Sequence, residues 1–132
     1  MVKVTLSGAV GVIRLEIHEI TGADTIAPLD QVAGNWQTNP GTSANAITTT
    51  AKTTTTNGQY IFAAMATISN SHPSAGTGFI GHDGDGGASM TEHQIQRMAG
   101  PIAGTFAQAH EGIFVSSVMM TFKEAGAGQA LP

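Results

Sequence analysis

The sequence predicts an all-β domain, an antiparallel β-sandwich of jelly-roll-like form. Apolar residues recur with the two-residue period of a half-buried strand, and helical periodicity is nearly absent. Gly, Pro, Asn and Ser cut the chain into roughly eight strand-like runs at spacings near ten residues, the signature of a sandwich or barrel. The composition of 19 Ala, 17 Gly and 17 Thr is small and polar, yet 41% apolar content and a net charge of -4 place the chain outside the disordered class.

Val2, Val4 and Leu6 alternate with Lys3 and Thr5 as a short first strand, and Ser7-Gly8 turns the chain. Residues 10–20 read as a long strand with Ile13, Leu15 and Ile17 on one face and Arg14, Glu16 and His18 on the other. After a loop ending near Pro28, residues 31–37 form a strand with Val32 and Trp36 on the same face. Thr38-Asn39-Pro40-Gly41 is a turn. Residues 46–56 are a threonine tract whose branched side chains favour extension. Both of its faces are small and polar, which predicts an edge or interface strand rather than a core strand.

Asn57-Gly58 is the strongest hairpin signal and returns the chain into residues 59–68, the most apolar strand. Residues 69–78 are a loop, and Phe79-Ile80 starts a short strand that ends in His82-Asp83-Gly84-Asp85-Gly86-Gly87. Residues 89–98 are read as a strand although Gln, Glu and Met permit a helix, and Gly100-Pro101 breaks it. Residues 104–107 are a short strand. Residues 112–123 are the last, with Phe114, Val118, Met120 and Phe122 on one face. No fixed-period repeat occurs. One sandwich domain is therefore expected over residues 1–125, followed by a Gly- and Ala-rich tail at 126–132.

Charge narrows the classes of function. Charged residues are 11% of the chain, and Lys3, Arg14, Lys52, Arg97 and Lys123 are scattered, so no basic stripe exists for nucleic acid. Uncharged Thr, Ser, Asn, Gln and Gly must cover the surface, which suits packing against copies or partners. The absence of cysteine excludes disulfide staples and thiolate chemistry. The longest apolar run, residues 60–66, is far short of the roughly 20 residues of a membrane span. The N-terminus has no apolar signal core.

No constellation calls for catalysis. His18-Glu19 and His110-Glu111 open like a zinc-protease motif, but Gly22 and Phe114 stand where its second histidine belongs. Glu16 and Glu19 fall on opposite faces, a poor glycosidase pair, and Glu16, Glu92 and Glu111 read as solvated. Asp83 and Asp85 resemble the start of a calcium loop, but Gln94 occupies the place of the closing Glu. They are weak metal candidates, and no metal site or cofactor is expected. The five histidines show no ligand spacing on one element. His82 and His93 can approach across a hairpin, although solvated or hydrogen-bonded imidazoles account for the set. Most aromatic residues are needed for the core. Trp36 is the one ligand candidate, as a platform for sugar.

Several strings, taken together, resemble a recurrent module: Glu19-Ile20-Thr21-Gly22-Ala23-Asp24, Pro28-Leu29-Asp30, the Thr tract, residues 56–64, Gly76-Thr77-Gly78-Phe79, Thr91-Glu92 and residues 117–123. The chain is similar, over about residues 10–124, to a jelly-roll-like β-sandwich of phage structural proteins and bacterial surface proteins. Ile20 and the region near Gly112 lack the aromatic residues common there. The chain also starts after the N-terminal strands, with a Pro-Ser-Gly-Trp turn, that members often carry.

The resemblance implies no catalytic residues. It implies a non-enzymatic structural protein that works by assembly: a virion component such as a head-decoration, cement or appendage protein, contacting copies of itself and other structural proteins. The absent signal segment favours the virion. The alternative is a secreted surface or extracellular filament subunit with weak glycan adhesion. Interface candidates are Thr49, Thr53 and Thr55 in the tract, and Met1, Lys3 and Leu131 at the ends, because chain ends are ordered chiefly by docking.

Overall fold

A computed structural model of the chain describes residues 3–5, 7–8, 16–83, 87–110 and 114–126. Among these residues there are ten strands and no helix. In chain order they are β1 Leu29–Thr38, β2 Ile47–Thr48, β3 Lys52–Thr53, β4 Gln59–Thr67 and β5 Pro73–Ala75, then β6 Ile80–Asp83, β7 Ser89–Gln96, β8 Pro101–Ile102, β9 Thr105–Gln108 and β10 Phe114–Phe122. All pairings are antiparallel. A five-stranded sheet runs β1-β10-β4-β7-β6, and the remaining strands form β2-β9-β5 and the short pair β3-β8. The chain is thus all-β and antiparallel, consistent with a β-sandwich.

The two long central strands set the inner face. Along β4, Gln59, Ile61, Ala63, Met65 and Thr67 are buried, alternating with more open neighbours. β10 matches this with Val115, Ser117, Met119 and Thr121. Ile47 of β2 and Phe106 of β9 sit directly opposite one another in register and close the core from the second layer. Each such large side chain contributes roughly 1.5–3 kcal/mol on full burial. The layers approach so closely at Gly104 that a Cβ there would lie 2.5 Å from the Ala63 Cβ.

Polar residues also hold the layers together. Glu92, on β7, is fully buried. Its Oε2 accepts from the Gly76 N–H at 2.8 Å and its Oε1 from the Thr105 N–H at 3.0 Å, so one carboxyl ties the five-stranded sheet to two segments of the second layer. Thr49 accepts from the Gly104 N–H at 3.0 Å. Thr54 donates to Gln96 Oε1 at 2.9 Å and accepts from the Gly100 N–H at 3.1 Å.

The threonine tract departs from the sequence reading. It is two short strands, not one edge strand, and Thr49 and Thr54 are buried. A hydroxyl that satisfies a backbone N–H can be buried without apolar bulk, which a count of apolar residues does not register. Gly58 takes φ +75, as the Asn57-Gly58 signal requires. The turn nevertheless makes no hairpin between the tract and β4: β4 pairs with β10 and β7, and β3 pairs with β8. The turn passes the chain between layers. Of the predicted long strand at 10–20, residues 16–20 carry no strand and residues 10–15 lie outside the described residues. Of the predicted first strand, Val2 and Leu6 lie outside them too. Among the aromatic residues only Phe106 is fully buried.

Candidate functional site

The largest chemical feature is the outer face of the five-stranded sheet. Strand alternation that sends Met119 and Ala63 inward sends Val118 and Ala64 outward. The registers place Leu29, Phe122, Tyr60 and Ile95 in one outward row. The next row is Val32, Met120, Phe62, His93 and Ile80. Then come Gly34, Val118, Ala64, Thr91 and His82, and after them Trp36, Ser116, Ala66 and Ser89. No Lys, Arg, Asp or Glu stands in these four rows. The apolar face of the last strand, which the sequence displayed as Phe114, Val118, Met120 and Phe122, therefore faces away from the core. Leu29, Val32, Trp36, Ile80, Ile95, Phe114 and Val118 are all exposed, from 36% at Val118 to 63% at Trp36.

Histidines occupy one side of this face. His82 Nε2 and His93 Nδ1 are 2.7 Å apart, so one ring donates to the other. The approach considered across a hairpin is present, made by the β6–β7 pairing that sets Ile80 opposite His93 and His82 opposite Thr91. His93 also stacks on Tyr60, with ring centroids 5.3 Å apart. His18 packs on Phe62 at 4.7 Å and edge-on to His82 at 5.7 Å. Its Nε2 lies 3.3 Å from Thr91 Oγ1 and 3.4 Å from Glu16 Oε2. Burial, then the adjoining His82 and His18 rings, hold His93 below the ordinary imidazole range. Burial pushes the Tyr60 hydroxyl up.

Trp36 is exposed and stacks on Phe114, with centroids 5.6 Å apart and planes 29° from parallel. Thr53 is exposed on β3. Thr55 is exposed but tied down: its N–H and hydroxyl both donate to the Asp30 carboxylate, at 2.8 and 2.7 Å. Burial raises the Asp30 carboxyl, but the Thr55 and Gln59 hydrogen bonds and the charge of Lys123 outweigh it and hold the group low. Thr49 has no surface to offer, being 3% exposed. Lys3 is exposed, while Met1 and Leu131 lie outside the described residues. Asp85 and the side chain of Asp83 also lie outside them. Among the described residues no group of three ligating side chains could hold a metal ion.

Glu92 is where a general base would be sought, because desolvation raises it to about 7 against the two backbone hydrogen bonds that lower it. It is not the solvated side chain that the sequence suggested. Its two oxygens are occupied by backbone donors inside the protein, so it reads as an interlayer tie. Burial at this position carries no periodic signal, because Met90, Thr91 and Glu92 are buried in succession. A cleft of about 300 Å³ opens on the first row of the outer face, lined by Tyr60, Ile95 and Phe122 of that row and by Ile20, Lys123 and Glu124.

No protein-family model matches the chain, and neither a curated protein nor a solved structure matches it. Among the described residues no helix is long and apolar enough to cross a membrane.

Proposed function

We propose that the chain is a structural, non-enzymatic assembly subunit that packs against copies of itself through the outer face of its five-stranded sheet. The single observation that carries this reading is the apolar outer face, whose four strand rows carry no Lys, Arg, Asp or Glu. Monomeric proteins rarely expose a contiguous apolar patch beyond a few hundred Å², and larger ones mark interaction sites. The setting that fits is a phage virion, as a head-decoration, cement or appendage protein contacting other structural proteins as well. This part of the proposal rests on the resemblance to the jelly-roll-like module. The pairing of the first and last described strands, β1 with β10, supports a jelly-roll-like connectivity. The test of assembly is sedimentation of the wild type beside Val118→Glu, at the middle of the face. The wild type should associate and the variant should stay monomeric with an unchanged circular dichroism spectrum. A wild type that is monomeric at about 100 µM, far above the Kd of specific interfaces, overturns the reading. The virion setting is tested by finding the chain's peptides in purified particles.

A second reading, a surface or filament subunit with glycan adhesion, is favoured by the exposed Trp36–Phe114 stack, since aromatic rings bind the apolar faces of sugars. Glycan-array binding lost in Trp36→Ala would support it. An array without signal would remove it.

A further inference from the structure

We propose that a second copy of this chain seats on the outer face over the His82–His93 pair, and that protonation of this pair in mild acid releases it. The inference rests on the self-association reading and adds its regulation.

The occupant follows from area and charge. The seven large exposed apolar side chains of the face leave on the order of 100 Å² each, and half-buried Tyr60, Phe62, Met120 and Phe122 fill the space between them. The total approaches the ~800 Å² that one partner contributes to a standard interface. A partner chosen by charge would find nothing to pair with in the four rows, whereas a second copy presents the same apolar rows, as a two-fold contact demands.

The geometry of the pair supplies the gate. At 2.7 Å, His82 Nε2 and His93 Nδ1 share one proton: one nitrogen donates and the other must keep its lone pair. One further proton can enter on an outward nitrogen, which places a cation in the apolar face. A second would set two N–H donors against each other. The groups facing the pair are Tyr60 from β4, Thr91 from β7, and His18 from the 16–20 segment. The Glu16 carboxylate is turned to His18. Tyr60 is neutral throughout the range. In the free subunit His93 already resists protonation, and covering the face with apolar surface increases that resistance. By linkage, the proton and the second copy then exclude one another.

The experiment is sedimentation equilibrium of the full chain at about pH 8 and about pH 5.5, across the ordinary imidazole range. The wild type, Val118→Glu and the double variant His82→Gln/His93→Gln are compared, and circular dichroism reports folding at both values. The wild-type Kd should rise about tenfold in acid, because both subunits must shed a proton to associate and each contributes severalfold. The double variant should associate with less than about threefold change. If the wild type associates equally at both values, or the double variant still dissociates in acid, the gate is overturned while the face stands. If the wild type is monomeric at both, the face itself fails and the gate with it.

Discussion

Replacing Glu92 by Gln should remove a contribution to stability that weakens as pH rises, the reverse of an ordinary paired carboxylate. Glu92 is fully buried and titrates at about 7 in the folded chain against an ordinary value of 4.5. Below 4.5 it is neutral in both states, and the fold incurs no ionic penalty. Between 4.5 and 7 the unfolded chain sheds its proton while the folded chain keeps it, so stability falls as pH rises. Above 7 both states are ionised and the loss is complete. The span corresponds to on the order of 3 kcal/mol. Gln cannot ionise, but it replaces one acceptor with an NH₂ facing a backbone N–H, at Gly76 or Thr105. It therefore costs about 1–3 kcal/mol at every pH. Urea midpoints for both proteins at about pH 4.5 and about pH 7.5 isolate the effect, because His93 and every other titrating group are common to both. The wild-type advantage should shrink by about 3 kcal/mol between the two values. Parallel profiles would refute the reasoning and show that Glu92 ionises freely inside the fold.

Gly104→Ala should lower stability by about 1–3 kcal/mol, because its Cβ would lie 2.5 Å from that of Ala63 where the layers cross; an unchanged urea midpoint counts against so close a crossing. Thr54→Val should cost about 1–3 kcal/mol by stranding the part-buried Gly100 N–H at the buried Thr54 site, while Thr53→Val, one residue earlier and exposed, should stay within about 0.5 kcal/mol. Equal midpoints for the two variants would contradict the buried role of Thr54.

The strands were legible where alternation was strong. Residues 31–37, 59–68, 89–98 and 112–123 each contain most of a strand, and the breaks at Asn57-Gly58 and Gly100-Pro101 end or begin elements. The strands' orientation was not legible. Alternation says which residues share a face but not which face meets the other layer, and here the two faces of β10 differ in the unexpected sense. Val115 and Met119 go inward with Ser117 and Thr121, while the bulkier set goes outward. The buried threonines and Glu92 were missed for a related reason. Their burial is licensed by single backbone donors at Gly104, Gly100, Gly76 and Thr105, which come from distant segments. The His82–His93 contact was visible only as a possibility of hairpin geometry, and the register of β6 on β7 realises it.

If the chain assembles as proposed, this division of polarity couples its folding to that assembly. Gln59, Glu92, Thr121, Thr49, Thr54 and Ser117 occupy interior volume that apolar side chains fill in an ordinary core. Each hydrogen bond returns only about 1 kcal/mol net, so the isolated subunit draws less stabilisation from its interior than its size allows. The apolar surface that would make up the difference lies on the outer face and contributes only when covered. A subunit that assembles as proposed gains stability by mass action from its own copies. At a free concentration about a hundredfold above the Kd the gain is about 2.7 kcal/mol, which for a chain of this length raises the Tm by roughly 10 °C. Calorimetry from about 1 to about 100 µM, spanning that hundredfold range, should therefore show a rising Tm in the wild type. In Val118→Glu the Tm should not change with concentration. A wild-type Tm that is flat over the range, in a sample shown by sedimentation to associate, would mean that covering the face adds nothing to the fold, and that this interior is sufficient alone.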